Sequence, residues 1–314
     1  MLQYLIILLD DTATSYCHYE NTKTERKLIS LENLKAAILF AMKENLMIQF
    51  VYPDYELPEA YKTEIETIDH NKIAPFTANA SEADVVVFNG WNNFSGDFLS
   101  SEKAFVLRTT KQELFTNYLQ LSEILEKVTR LNIVITDVDK FTETDFDTYK
   151  NVLDELRFKL KELYANGLSP QLNTLTDRLM LDKMNNCNAG IENITLASNG
   201  KFYICPAFYL EDESDSVGDL TNGLNIKNKQ LYKLDYAPLC RICDAYQCKR
   251  CIWLNRKTTL EVNTPSHEQC VVAHLERNAS RVLLNDLQTL GAESPVKEIK
   301  EIDYLDPFDI KEEF

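Results

Sequence analysis

At 314 residues the chain has length for two domains and a sizeable core, which excludes a short disulfide-stapled peptide. It carries 33 Lys and Arg against 49 Asp and Glu, a formal charge of −16, with no basic face or aromatic-basic stripe, so nucleic acid and anionic membrane surfaces are poor partners. With 45% hydrophobic and 26% charged residues, the composition is that of a folded protein. The opening MLQYLIILLDD is too short to span a bilayer and lacks a basic n-region and a cleavage site, so it reads as a first, buried strand of a cytosolic protein. Eight glycines, no two adjacent, exclude a P-loop and a GxGxxG dinucleotide turn.

In chain order, Tyr4 to Leu9 reads as a strand, Leu31 to Lys43 behind Ser30 as a helix, Met47 to Tyr52 as a strand and Glu59 to Ile68 as a helix. The alternation continues with a Val-rich strand at Asp84 to Phe88, a helix at Gln112 to Val128, a strand at Leu131 to Thr136 and a long amphipathic helix from Phe146 to Tyr164, stopped near Gly167. Short buried strands separated by helices predict an α/β fold with a parallel sheet. After residue 170 the pattern changes. Ile191 to Ala197 and Lys201 to Cys205 flank Asn199-Gly200, a strong hairpin signal. Irregular Cys-rich sequence runs to about residue 256, a helix carries Cys270, and the stretch from Glu293 is acidic, with Pro295 and Pro307. The expected division is an α/β part at 1–170, a Cys-rich part at 171–290 and an acidic tail at 291–314.

Cysteine usage carries the chemistry. Cys17 stands alone in the first 186 residues, whereas Cys187, Cys205, Cys240, Cys243, Cys248, Cys251 and Cys270 follow within the next 84. The seven clustered thiols are an odd number in a sequence without a secretion signal, which argues against a disulfide framework, and paired CxxC units argue against scattered buried thiols. Cys240-Arg-Ile-Cys243 and Cys248-Lys-Arg-Cys251 place four thiols within twelve positions. Structural zinc sites usually separate their CxxC halves more widely, whereas iron–sulfur clusters take Cys thiolates from adjacent runs that serve different clusters. Arg241, Lys249 and Arg250 set positive charge beside these sulfurs; it either lowers the thiol pKa values or is solvated charge balancing an acidic chain.

Cys187, twelve residues, Gly200, four residues and Cys205, then Cys240-x2-Cys243-x4-Cys248-x2-Cys251 and Cys270, resembles a SPASM domain, although both central gaps are one residue shorter than that family's usual spacing. The resemblance implies two [4Fe-4S] clusters: Cys240, Cys243, Cys248 and Cys270 hold one, and Cys187, Cys205 and Cys251 hold three irons of the other, whose fourth position is open or borrowed. SPASM domains accompany radical S-adenosylmethionine enzymes, which place C-x3-C-x2-C after their first strand. This chain has only Cys17 there and no adjacent glycines, so it is not expected to bind or cleave S-adenosylmethionine itself. Its α/β half then reads as a degenerate partial barrel. Through LLDDTATSYCHYEN, AILFAMKENLMIQFVYPDYELP and ITLASNGKFYICPAFY the chain is similar to the CXXX-repeat peptide maturases. That resemblance implies a Cys-repeat precursor peptide as substrate and a separate radical S-adenosylmethionine enzyme as partner. The clusters would carry electrons, or an open iron would take a substrate thiolate.

Smaller candidates have ordinary readings beside them. Cys17-His18 follows Asp10-Asp11 in the loop after the first strand, where α/β folds collect active residues, and either forms a catalytic nucleophile–base pair or is a loop thiol beside an exposed imidazole. His267, Cys270 and His274 share one helix face, as a mixed zinc site or as one ligand beside a packed histidine. Tyr203, Phe208 and Tyr209 line a peptide groove or are core, and Glu211, Asp212, Glu213 and Asp215 attract a basic leader or form a solvated loop. The rival function is a non-catalytic adaptor whose cysteines hold zinc, fold the C-terminal part and present a peptide to a partner enzyme. A third is peptide thiol chemistry at Cys17 and His18.

Overall fold

The structure is a computed structural model that describes residues 1–77, 80–94, 98–184, 186–291 and 294–301. In chain order it forms β1 (Tyr4–Leu8), α1 (Leu31–Glu44), β2 (Met47–Val51), α2 (Glu59–Ile65), β3 (His70–Pro75), β4 (Val85–Asn89), β5 (Ala104–Thr109), α3 (Lys111–Leu125), β6 (Arg130–Ile135), α4 (Glu143–Ala165), β7 (Gln171–Leu172), β8 (Asn193–Leu196), β9 (Phe202–Tyr203), α5 (Pro206–Glu211), then α6 (Ile252–Thr259) and α7 (His267–Thr289). Helix starts follow their caps. Ser30 accepts from the Asn33 amide at α1, and capping boxes close α3 (Thr110 with Glu113) and α7 (Ser266 with Gln269).

The chain packs into two compact units, residues 1–87 with 187–237 and residues 88–186 with 238–314. In the first, β1 is central. It pairs in parallel with β2 through Tyr4↔Met47 and with β8 through Tyr4↔Asn193, and β3 follows beside β2 and β4 beside β3, all parallel. The apolar run YLIIL is buried from Leu5 onward because such a strand is covered on both faces. Ala37 and Ala41 on α1 are buried, and Phe40 lies 5.0 Å from Phe202, ring to ring. The hairpin forms with Thr195↔Tyr203 and Leu196↔Phe202 in register. Gly200 turns it at φ +77°, its amide donating to the Ala197 carbonyl.

In the second unit β5, β6 and β7 run parallel. α4 buries Tyr149, Val152, Leu153, Leu156, Leu160 and Leu163, and α7 buries Val271, Val272, Leu275, Leu283, Leu284 and Leu287, both at helical spacing. Of the elements named above, three strands, β3, β5 and β7, and the helices α5 and α6 are not foreseen by the sequence pattern. Most of the acidic stretch expected at the C-terminus, Glu293 and Pro307 included, lies outside the described residues. No helix among the described residues is long and apolar enough to cross a membrane.

Candidate functional site

The second unit gathers four of the sequence-selected thiols. A short 3-10 turn over Cys240–Ile242 leads into Cys243, a loop brings Cys248, and α7 supplies Cys270 and His274 one turn apart. Cys240, Cys243, Cys248, Cys270 and His274 line one cavity of about 30 Å³. Two of the sulfurs already accept backbone hydrogen bonds, Cys243 from the Ala245 amide and Cys248 from the Arg250 amide, each at 3.4 Å. The Nε2 atom of His274 lies 3.4 Å from the Cys243 sulfur. Such N–H···S contacts orient thiolate ligands and tune what they hold. Among the described residues no three His, Cys, Asp or Glu side chains are grouped so as to hold a metal ion, so the thiols share a cavity without a preformed single-ion site.

Burial, more than charge, sets these thiols. It pushes Cys248 up to about 12 and Cys240 up to about 11, where the Arg250 guanidinium opposes it and Cys243 reinforces it. Cys243 is raised as well, again chiefly by burial. Of the three cations chosen from sequence, Arg250 is the one buried, 2% exposed and held in left-handed backbone at φ 44°. Ligands buried in this way lose protons when metal arrives, and binding is correspondingly pH-dependent.

Behind the cavity stands an ionic clamp. Arg277 on α7 is 0% exposed and reaches Asp244, the residue after Cys243, with Nε 3.1 Å from both carboxylate oxygens and one terminal nitrogen at 2.6 Å. Arg178 donates to the Asp244 carbonyl at 2.8 Å. A second cavity, of about 520 Å³, is lined by Arg178, Asp244, Tyr246, Lys297 and Lys300 among others. Two residues beyond His274, Glu276 accepts from Tyr149 Oη at 2.8 Å, and burial pushes its carboxyl up to about 7.

Because the folded-state pKa of Glu276 is raised, its contribution to stability is complete below the unfolded value near 4.5 and is lost as pH rises from there through about 7. Melts between about pH 4.5 and 8 should therefore show the wild type losing stability relative to a Glu276→Gln variant. Discounted for the residue's half-buried position, the loss is about 1 kcal/mol.

In the first unit the acidic pair at the end of β1 is buried, Asp10 at 0% and Asp11 at 7% exposure. Asp10 accepts from the Thr12 amide at 2.8 Å, the Thr12 hydroxyl at 2.6 Å and Tyr55 Oη at 2.8 Å. Asp11 accepts from Ser198 Oγ and from Tyr209 Oη at 2.5 Å, and lies 3.5 Å from Lys23 Nζ. Burial and the bond to Asp11 push the Tyr209 hydroxyl up to about 12. Asp11 thus fastens the loop after β1 to the hairpin turn at Ser198 and to Tyr209 of α5, and Asp10 fastens it to Tyr55. The half-buried Cys17 and His18 sit further along that loop.

Cys187 is exposed and Cys205, half-buried, is the N-cap of α5. Cys251 is the N-cap of α6 and belongs to the second unit, whereas Cys187 and Cys205 belong to the first. Tyr203, Phe208 and Tyr209 are buried core, with the two tyrosine rings 5.0 Å apart. In the acidic run, Glu213 pairs with Lys23 at 2.5 Å, which holds its carboxyl below the usual range. His267 lies 6.1 Å from Phe146, ring to ring.

No protein family and no curated protein matches the sequence. Solved structures do match in fold. The chain is similar to native anSMEcpe with bound AdoMet and Cp18Cys peptide, with a TM-score of 0.60 at 13% identity over 93% of this chain and 99% of that one. It is similar to hexahistidine-tagged anSMEcpe with bound AdoMet, with a TM-score of 0.61 at 12% identity over 92% and 95%. The fold is therefore the mixed α/β, mostly parallel-sheet fold seen in anSMEcpe.

Proposed function

We propose that the chain is a component in the maturation of a ribosomally made Cys-repeat (CXXX-repeat) peptide, that it binds two [4Fe-4S] clusters, and that it acts in the cytoplasm beside a separate radical S-adenosylmethionine enzyme. The observation that carries this reading is the cavity lined by Cys240, Cys243, Cys248 and Cys270, two of whose sulfurs accept backbone N–H bonds. Four thiols are the donor set such a cluster takes. Cys187, Cys205 and Cys251 are the thiols assigned to the other cluster. The similar fold in anSMEcpe, solved with AdoMet and a peptide bound, supports a peptide substrate. AdoMet is left to the partner enzyme, because the loop after β1 carries a single cysteine. The division at about residue 170 into an α/β part and a Cys-rich part belongs to the same reading.

When bound, a cluster supplies single-electron transfer. The chain's own residues would hold and shield it. The Ala245 and Arg250 amides orient two sulfurs, His274 adds a side-chain contact to Cys243, and Arg277 fixes the loop through Asp244.

Anaerobic purification followed by iron, sulfide and zinc analysis with an absorbance spectrum tests the reading. About eight irons and eight sulfides per chain, with broad absorption near 400 nm, is the expected result for two clusters. One or two zinc ions in a colourless, sulfide-free chain would replace it with the zinc-holding adaptor.

A further inference from the structure

The cavity of about 520 Å³ lies within the second unit and is lined by none of the selected thiols. Its volume is that of pockets that enclose a small organic molecule. The walls come from the turn at Asp177–Met180 and the residues after it, from the loop at Asp244 and Tyr246, and from the segment 295–300. That segment is fastened in place. Ser294 Oγ donates to the Leu179 carbonyl at 3.0 Å, Gln288 to the Lys297 carbonyl at 2.9 Å and Arg277 to the Lys300 carbonyl, while Ile299 is buried.

Charge inside the cavity is unequal. Arg178 and Arg277, 4% and 0% exposed, face a single carboxylate, Asp244. Arg277 takes it with three contacts of 3.1 Å or less, whereas Nη2 of Arg178 stays 3.8 Å away, beyond a hydrogen bond. Asp177, one residue before Arg178, is held by Arg130 at 3.0 Å. At the rim, exposed Lys297 and Lys300 are matched by exposed Asp182 and Glu298. Two buried guanidinium groups against one carboxylate leave an excess of one positive charge. Arginine does not escape that cost by losing its proton, so an anion from outside would complete the arrangement. Burial accordingly holds the Arg178 guanidinium below its ordinary pKa, with Asp244 opposing the shift and Arg277 adding to it.

The geometry of Arg178 also selects the anion. Its Nε donates to the Asp244 carbonyl at 2.8 Å and its Nη1 to the Leu181 carbonyl at 3.1 Å, which leaves Nη2 for a ligand. The guanidinium carbon stands 4.3 Å from the Tyr246 ring centroid, a contact that fixes its plane. Leu181, Pro295 and Val296 supply apolar wall. One donor nitrogen and one excess charge suit a monoanionic carboxylate on an apolar body better than a phosphate, which brings more charge and more acceptor oxygens.

We propose that this cavity binds the carboxylate of an apolar-bodied ligand, a free organic acid or the C-terminus of a peptide, and that Arg178 receives the carboxylate. The proposal does not depend on which metal the thiols hold.

The test titrates the full chain calorimetrically with hexanoate, with the peptide acetyl-Ala-Val-Leu-Phe as its free acid, with the same peptide as its C-terminal amide, and with inorganic phosphate. One or both acids should bind, the tighter of them naming the source, while the amide and phosphate bind about tenfold more weakly or worse. Arg178→Gln should weaken acid binding by about tenfold or more. In the wild type, the acid should slow hydrogen–deuterium exchange in segments 178–182 and 294–300, a measurement that needs no variant to fold. Failure of both acids to bind, equal binding of peptide acid and amide, or preference for phosphate would overturn the proposal. So would acid binding that leaves exchange in those segments unchanged.

Discussion

Replacing Asp244 with asparagine is expected to destabilise the second unit by about 3–5 kcal/mol, the range for stranding one member of a buried ion pair. Arg277 is fully buried, and its guanidinium makes three contacts of 3.1 Å or less to that carboxylate. The asparagine keeps the shape and removes the charge, so the guanidinium stays buried with carbonyl and amide partners and no counter-ion. The reverse change, Arg277→Met, should cost less. Asp244 is 27% exposed on its side chain and keeps Arg178 nearby at 3.8 Å. Urea unfolding of the two variants measures both effects. Equal losses would mean that packing around Arg277, and not charge compensation, dominates the clamp.

The second large effect is expected from Cys248→Ser. Its sulfur lies in the four-thiol cavity and accepts from the Arg250 amide. Serine is a far poorer ligand for iron, so the variant should lose one cluster, about four irons and four sulfides, and half of the absorption near 400 nm. Stability should fall with it, because metal-binding free energy adds to folding free energy in a small ligand-held loop. Iron and sulfide assays beside thermal melts read both quantities. A variant with full iron content would remove Cys248 from the ligand set.

Much of the fold was legible because its signals are local. Ser30 before an apolar-periodic run, the Val-rich strand at β4 and Asn199-Gly200 between alternating segments each depend on a few neighbouring residues. What escaped was set by tertiary context. β3 reads HNKIAP, with a lysine in its middle and a proline at its end, yet it is a strand because Lys72 is buried with its ammonium 2.9 Å from Glu82 and 4.5 Å from the Tyr52 ring centroid. β5 is an apolar run too short for periodicity to type, and α6 begins directly after Cys251 inside sequence that read as irregular. At the site, CxxC spacing pointed to the thiols that share a cavity, but not to the Asp244–Arg277 clamp. No spacing rule joins residues 33 positions apart. The basic residues around the cysteines suggested lowered thiol pKa values; burial raises them instead, because desolvation outweighs the one guanidinium that reaches Cys240.

The order in which the units are assembled from the chain has a consequence during synthesis. β1 needs β8 on one side and β2 on the other, and about a hundred residues of the second unit are translated between them. At 5–20 residues per second the ribosome takes roughly 7–28 s to cover the stretch from the end of β2 at Val51 to the start of β8 at Asn193. For that interval Tyr4–Leu8 is an apolar strand with one unpaired edge, the kind of surface that recruits chaperones or neighbouring nascent chains. A pause in translation before residue 193 should therefore lower the soluble yield more than the same pause placed after residue 203.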